Sequence, residues 1–281
     1  MFSYRHGFHA GNHADVLKHI VLVQLLAHMA AKDKPFQFVD THAGAGGYSL
    51  SDTFAAKNAE YETGIGRLWG RTDLPAAVND YLAQVALYNP DGKLRYYPGS
   101  PRIALQMTRE QDRLRLFELH TTEIQVLQNH FTGAGKRVAV HAQDGFTGLK
   151  SALPPPSRRG LTLIDPSYED KGDYARVVET MRDALQRFPT GTYAIWYPQV
   201  MRRESHELPA KLQRMAPGDW LHVALKVSAP PADGFGLFGS GMFIFNQPWK
   251  LEPALRSVMP ALVKALAQDG KAAHELKFRQ A

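Results

Sequence analysis

Leu161-Thr162-Leu163-Ile164-Asp165-Pro166-Ser167-Tyr168 joins a short apolar run to a carboxylate, a rigid bend and an aromatic ring. The run follows a proline- and arginine-rich turn at 154–160. That pattern predicts a buried parallel strand whose C-terminal end delivers Asp165 and Tyr168 into a cleft. An acceptor beside a ring suits a planar, amino-bearing heterocycle, stacked on the tyrosine and hydrogen-bonded by the aspartate. An Asp-Pro turn that merely ends a strand is the plain alternative, because both residues are common in turns.

Working outward, the chain alternates strand-like and helix-like segments. Upstream, a helix is expected from about His13 to Ala31, with Asn12 as N-cap and Asp15 as a capping-box-like partner. A strand follows at Phe36–Asp40, then a glycine-rich turn, Thr41–Ser49, leading into a helix. Residues from about 52 to 95 interrupt the rhythm and read as a small helical insertion. A turn at Tyr97–Pro101 starts a short helix through Met107; strands are expected at 113–118 and 137–141, with a helix around 121–131 between them. Downstream come a helix (174–188), a strand (193–197), a helix (about 201–215) and strands at 221–227 and 242–245. The last two strands lack a helix between them, so the final one should run antiparallel. The tail carries apolar residues at helical spacing, broken at Pro260. The reading is an α/β, Rossmann-like, mostly parallel sheet of seven strands with helices on both faces. The chain is read as a single domain, 1–281, carrying the insertion at 52–95.

Composition bounds the function. The 281 residues hold 44% hydrophobic side chains and no cysteine, which excludes disulfides and thiolate zinc sites. The N-terminus has no signal-peptide pattern, and no apolar run approaches the roughly 20 residues of a spanning helix. A cytoplasmic, monomeric protein is the expectation. A net charge of +6 favours polyanionic partners.

Four constellations carry chemistry. In Asp40-Thr41-His42-Ala43-Gly44-Ala45-Gly46, Gly44 and Gly46 let a ligand approach the backbone at the carboxyl edge of the sheet. Ser49 breaks the third site of the dinucleotide fingerprint. The remaining acidic-x-x-x-Gly-x-Gly order suits a cofactor without phosphates, such as S-adenosyl-L-methionine, with Asp40 near a ligand ammonium; a structural turn is the alternative. Glu118 ends the second strand, where an acidic residue accepts from ribose hydroxyls. Asp144-Gly145 follows the third strand, where an adenine amine wants an acceptor; an ordinary Asp-Gly turn competes. Finally, His6, His9, His13 and His19 cluster near the N-terminus. Their spacing matches no tight metal pair, so no metal is assigned. Tyr4, Arg5, His6 and Lys18 read instead as stacking and phosphate contacts for nucleic acid.

Taken together, these segments resemble a known family. Asp40–Gly46 is similar to the cofactor motif of class I S-adenosylmethionine-dependent methyltransferases, and Asp165–Tyr168 to the Asp-Pro-Pro-Tyr motif of amino methyltransferases. Tyr4 through His19, Arg95–Pro101 and Trp196-Tyr197-Pro198 resemble the 23S rRNA (adenine-N6)-methyltransferase J family. The resemblance implies cofactor contacts at His19, His42, Ser100, Glu118, Asp144 and Gly145, a catalytic Asp165, and substrate-side roles for Tyr4, His6 and Lys18. It implies 23S rRNA as the partner, met before full ribosome assembly. The one departure is Ser167, where the family has a second proline; Asp165 and the Pro166 carbonyl remain as acceptors. The expected reaction is methylation of an adenine N6, with Tyr168 stacked on the base. The alternatives are a DNA adenine methyltransferase, a non-catalytic nucleic-acid-binding protein for use of external DNA and, more distantly, a nicotinamide dehydrogenase.

Overall fold

The computed structural model describes residue 7, residues 9–51 and residues 59–280. Tyr4, Arg5, His6 and Phe8 lie outside the described residues, as do 52–58 of the insertion.

One sheet organises the chain. Its order is β10-β8-β9-β7-β6-β1-β4-β5, from β1 (Gln37–Asp40), β4 (Arg113–Phe117), β5 (Val138–His141), β6 (Gly160–Ile164), β7 (Thr192–Gln199), β8 (Trp220–Lys226), β9 (Gly239–Phe245) and β10 (Ala273–Arg279). The ladders β5-β4-β1-β6-β7 are all parallel, with Asp40 opposite Leu116 on one side and Leu163 on the other. β9 inserts between β7 and β8 and runs antiparallel to both, as the missing helix between β8 and β9 requires. The sheet has eight strands where the sequence predicted seven. The extra one, β10, pairs antiparallel with β8 along the outer edge. Its residues, Ala273 to Arg279, are mostly exposed, and His274, Glu275, Lys277 and Arg279 are charged or polar, so no apolar alternation announced it.

Adjacent residues of the central strands face opposite sides, as the pleat demands. Phe38, Leu163, Ala194 and Ile244 enter one core; Val39, Ile164, Ile195 and Phe245 enter the other. The first core is covered by α1 (His13–Ala30), which is buried nearly all round, and by α8 (Leu251–Leu266). The insertion adds two 3₁₀ turns (Glu60–Thr63, Ile65–Arg67) and α2 (Ala76–Leu87), whose Val78, Tyr81 and Val85 join that same core. The second core is covered by α5 (Gly145–Ala152), α6 (Gly172–Arg187) and α7 (Arg203–Met215).

Two local expectations are corrected. The glycine turn after β1 does not open into a helix. Gly44 (φ +58) and Gly46 (φ +80) turn the chain into β2 (Gly47–Ser49), which pairs with β3 (Tyr96–Pro98). Tyr48 and Tyr97 bury their rings there, and the helix that crosses back onto β1 and β4 is α3 (Ser100–Met107). Nor does Pro260 break the last helix. It sits on the exposed face of α8, where the lost hydrogen bond and ring clash cost about 3 kcal/mol, and burial of Leu255, Val258, Met259, Leu262 and Leu266 holds the helix through it. Among the described residues, the helices not yet named include α4 (Thr121–Phe131) and a 3₁₀ stretch, Thr132–Arg137.

Candidate functional site

The chain passes from β1 out through β4 to β5, then returns to β6 on the other side of β1. Loops leaving β1 and β6 therefore diverge, and a cleft opens at the carboxyl ends of the strands. The cleft holds about 1080 Å³ of empty space and is lined by Lys18, His19, His42, Gly44, Ser100, Glu118, Asp144, Gly145, Asp165 and Pro166, among others. Those ten are all residues the sequence singled out.

Each carboxylate arrives from a different strand end. Asp40, on the last residue of β1, is fully buried. Ser100 Oγ donates to its Oδ2 at 2.6 Å and the His42 N–H to its Oδ1 at 3.2 Å. Burial, then the charge of Asp165, push its pKa up to about 7 against these hydrogen bonds and the Lys18 charge. Glu118, just past β4, accepts the Gly44 N–H at 2.8 Å and the His120 N–H at 2.7 Å. Burial raises its pKa, and the two amides counter that. Asp144 caps α5 by accepting the Thr147 N–H at 2.9 Å, and it also takes the Arg176 guanidinium. Although partial burial opposes it, that pairing holds the Asp144 carboxyl below its ordinary value. Gly145 must be glycine: a Cβ there would lie 1.8 Å from the Thr41 carbonyl oxygen, so the loops after β1 and β5 touch only because of it.

On the β6 side, Asp165 faces α1. The Lys18 ammonium donates to Asp165 Oδ2 at 2.6 Å and pairs with Asp15 Oδ1 at 2.8 Å. Burial alone would discharge Lys18, but the two carboxylates overcome it and its pKa is raised. His19 Nδ1 lies 2.7 Å from the Tyr97 hydroxyl, which in turn meets Tyr81. His42 packs edge-on against Phe146, and burial lowers its pKa to about 4, so its ring is neutral.

Tyr168 is placed differently from the expectation that it stacks on a base. Its ring is 2% exposed, packed 4.5 Å from the Tyr174 ring and tilted against Trp196, and its hydroxyl donates to the Trp196 carbonyl at 2.7 Å. At φ +54 it turns the loop sharply, and Arg202 donates to its carbonyl at 2.8 Å. In this arrangement neither face of the ring is open to a base. Gly46 also lies outside the cleft lining, beneath Leu127 and Phe131, where it shapes the turn. Tyr4 and His6 lie outside the described residues.

The sequence reading passed over Arg176, Tyr97 as the partner of His19, and Asp15 as anything but a cap. Arg176 sits on an amphipathic helix with nothing to mark it until α6 packs beside α5. Asp15 lies three residues before Lys18, a spacing that puts both on one helix face and could have signalled the pair.

Residues 33–278 match the family model described as RsmJ: Ribosomal RNA large subunit methyltransferase D, RlmJ. Ribosomal RNA large subunit methyltransferase J of Haemophilus influenzae is 46% identical over 271 residues, covering 96% of each chain. The protein of the same name from Escherichia coli is 47% identical over 270 residues, again covering 96% of each. The crystal structure of a Legionella pneumophila protein superposes with a TM-score of 0.87 at 36% identity, covering 96% of this chain and 98% of that one. No helix among the described residues is long and apolar enough to cross a membrane. With the family model spanning most of the chain and these relatives nearly all of it, the chain belongs to the ribosomal RNA large subunit methyltransferase J family.

Proposed function

We propose that this protein methylates the N6 amine of an adenine in 23S ribosomal RNA, using S-adenosyl-L-methionine. The observation that carries the reading is the cleft itself. Glu118 and Asp144 converge from β4 and β5 on one side, and Asp165 stands at its β6 rim.

The residues fit the cofactor. Glu118 is fixed by two backbone amides yet retains lone pairs for ribose hydroxyls. Asp144 and the close-packed Gly145 would meet an adenine amine, and Ser100, His19 and His42 line the end suited to the amino-acid portion, with Asp40 buried behind Ser100 and His42. Gly44, at φ +58, lines the cleft with its backbone, and the absence of a side chain there makes room for the Tyr48 hydroxyl. When bound, the cofactor supplies an electrophilic methyl group.

The chain's own task is to make a poor nucleophile attack. The lone pair of an exocyclic adenine amine is delocalised into the ring. Asp165 and the Pro166 carbonyl would accept its two hydrogens, returning density to nitrogen and aiming it; Asp165 would then take the surplus proton. A base must leave its stack to reach the cleft, which favours a loop, bulge or helix end and an RNA not yet folded into the ribosome. Tyr168 buttresses this loop through Trp196 in the arrangement described, and would stack on the base only if the loop opened. Tyr4 and His6 are proposed to face the RNA; Lys18, expected as a phosphate contact, is instead buried between Asp15 and Asp165 and serves the loop after β6. The protein is read as a cytoplasmic monomer and a single methyltransferase domain, in which the 52–95 insertion shares the α1 core.

Asp165→Ala tests the reading. Methylation should be lost while S-adenosylmethionine binding, measured by calorimetry, stays within about twofold, because Asp165 serves only the transition state. Surviving methylation would contradict the mechanism.

A further inference from the structure

Lys18 occupies one oxygen of the carboxylate that the target amine needs. Its ammonium lies 2.6 Å from Asp165 Oδ2, and its side chain is 5% exposed. An amine that bonds Asp165 at that oxygen competes with Lys18 for it. A buried ammonium held by one carboxylate could not let go without becoming an uncompensated charge. Lys18 is held by two: Asp15 Oδ1 lies 2.8 Å away, and its side chain is 2% exposed. Asp15 is itself anchored, since its Oδ2 accepts the Gly11 N–H at 2.9 Å just before α1 begins. The ammonium's three donors can satisfy both carboxylates at once, or lean on one of them.

We propose that Asp15 is a positioning residue for methyl transfer: a second seat for the Lys18 ammonium, which lets Lys18 release Asp165 when the target amine arrives. This rests on the reading of Asp165 as that amine's acceptor. Before RNA binds, Lys18 holds the Asp165 carboxyl in place. As the base enters, Lys18 moves toward Asp15, and the amine takes up the vacated oxygen. Asp15 therefore acts through Lys18 and touches neither reactant. Gly11 ties this seat to the 52–95 insertion. The Gly11 carbonyl accepts the Ile65 N–H at 2.8 Å, and a Cβ at Gly64 would lie 2.1 Å from that same oxygen.

The test is steady-state methylation of a protein-free 23S rRNA transcript by Asp15→Asn and Asp15→Glu. Asn keeps an acceptor for the Gly11 N–H and loses the charge; Glu keeps the charge. In Asp15→Asn, kcat should fall by about 100-fold with KM for RNA and cofactor affinity within about twofold, and Asp15→Glu should recover to within about tenfold of wild type. A purely structural role predicts a lower melting temperature and no such split. Asp15→Ser replaces Asp15→Asn if the latter melts below the assay temperature. The proposal is overturned if Asp15→Asn turns over like wild type, if Asn and Glu are equally impaired, or if the loss falls on KM. Wild type and Asp165→Ala run alongside. Activity in Asp165→Ala, or none in wild type, counts against the acceptor reading itself and is told apart from a failure confined to Asp15.

Discussion

The two flanks of the sheet handle polar groups in opposite ways. At the carboxyl ends of β4, β5 and β6, Glu118, Asp144 and Asp165 gather around one cleft, with Asp40 of β1 buried beneath Ser100 at its edge and Lys18 and Arg176 among the counter-charges. Across β7, β9 and β8 the sheet is packed with rings instead. Trp220 stacks on Phe243 at 5.6 Å, and Phe243 lies 4.9 Å from Phe245. Of the polar groups buried there, His222 is kept neutral by burial, and its Nε2 lies 2.7 Å from the Tyr197 hydroxyl. The aromatic flank stabilises; the carboxylate edge gathers like charges at a cost in stability and holds them ready for ligands.

That contrast can be broken by experiment. Phe243→Ala, at a fully buried position, should cost about 3–5 kcal/mol in denaturant unfolding, yet leave cofactor affinity unchanged below the melting range. A loss of affinity without a loss of stability would erase the distinction. His222 is next. Burial lowers its pKa to about 4 from 6.5, with Lys277 adding to this and Glu275 opposing it. Because the folded value is depressed, the stabilisation is present above pH 6.5 and is lost as pH falls toward 4, by about 1.4 kcal/mol per pH unit. His222→Gln should flatten that acid slope by about one proton's worth; an unchanged slope would mean that His222 does not titrate with folding.

Asp40 has the opposite sign. Its folded pKa, about 7, exceeds its ordinary 3.8, so the ligand-free protein loses stability through Asp40 as pH rises between these values. A ligand's ammonium wants the ionised form. S-adenosylmethionine should bind more weakly below pH 7, approaching about tenfold per pH unit, and Asp40→Asn should bind weakly at every pH. Calorimetry across this range would show it; a wild-type affinity independent of pH would separate Asp40 from the cofactor. The smallest effect is expected at Ser167, half-buried in the loop held by Arg202 and the Tyr168 hydroxyl. Ser167→Pro should change kcat by less than about fivefold, since those anchors already hold the turn. A large gain would assign the second proline a part in the chemistry.

Much of the cleft was legible because its residues sit where strands stop. Asp40, Glu118 and Asp165 each follow an apolar run, and the fold rule placing ligands at the carboxyl ends of parallel strands does the rest. Strand β10 was not legible, since it is amphipathic in neither sense and is held mainly by its ladder with β8. The hairpin of β2 and β3 was hidden for another reason: its partners lie about 50 residues apart, joined by tyrosines whose burial no local pattern reveals. Tyr168 shows the limit of motif reading. Four residues named a stacking ring, but packing against Tyr174 and Trp196 decides whether its face is open.

The central claim is adenine-N6 methylation of 23S rRNA carried by Asp165. The most direct measurement is mass spectrometric mapping of N6-methyladenine on protein-free 23S rRNA after incubation with S-adenosylmethionine and either wild-type protein or Asp165→Ala, with a DNA duplex as a parallel substrate. One methylated adenine in the RNA with wild type, and none with Asp165→Ala, is the predicted result. Methylation confined to the DNA, or equal methylation of the RNA by both proteins, would contradict the claim.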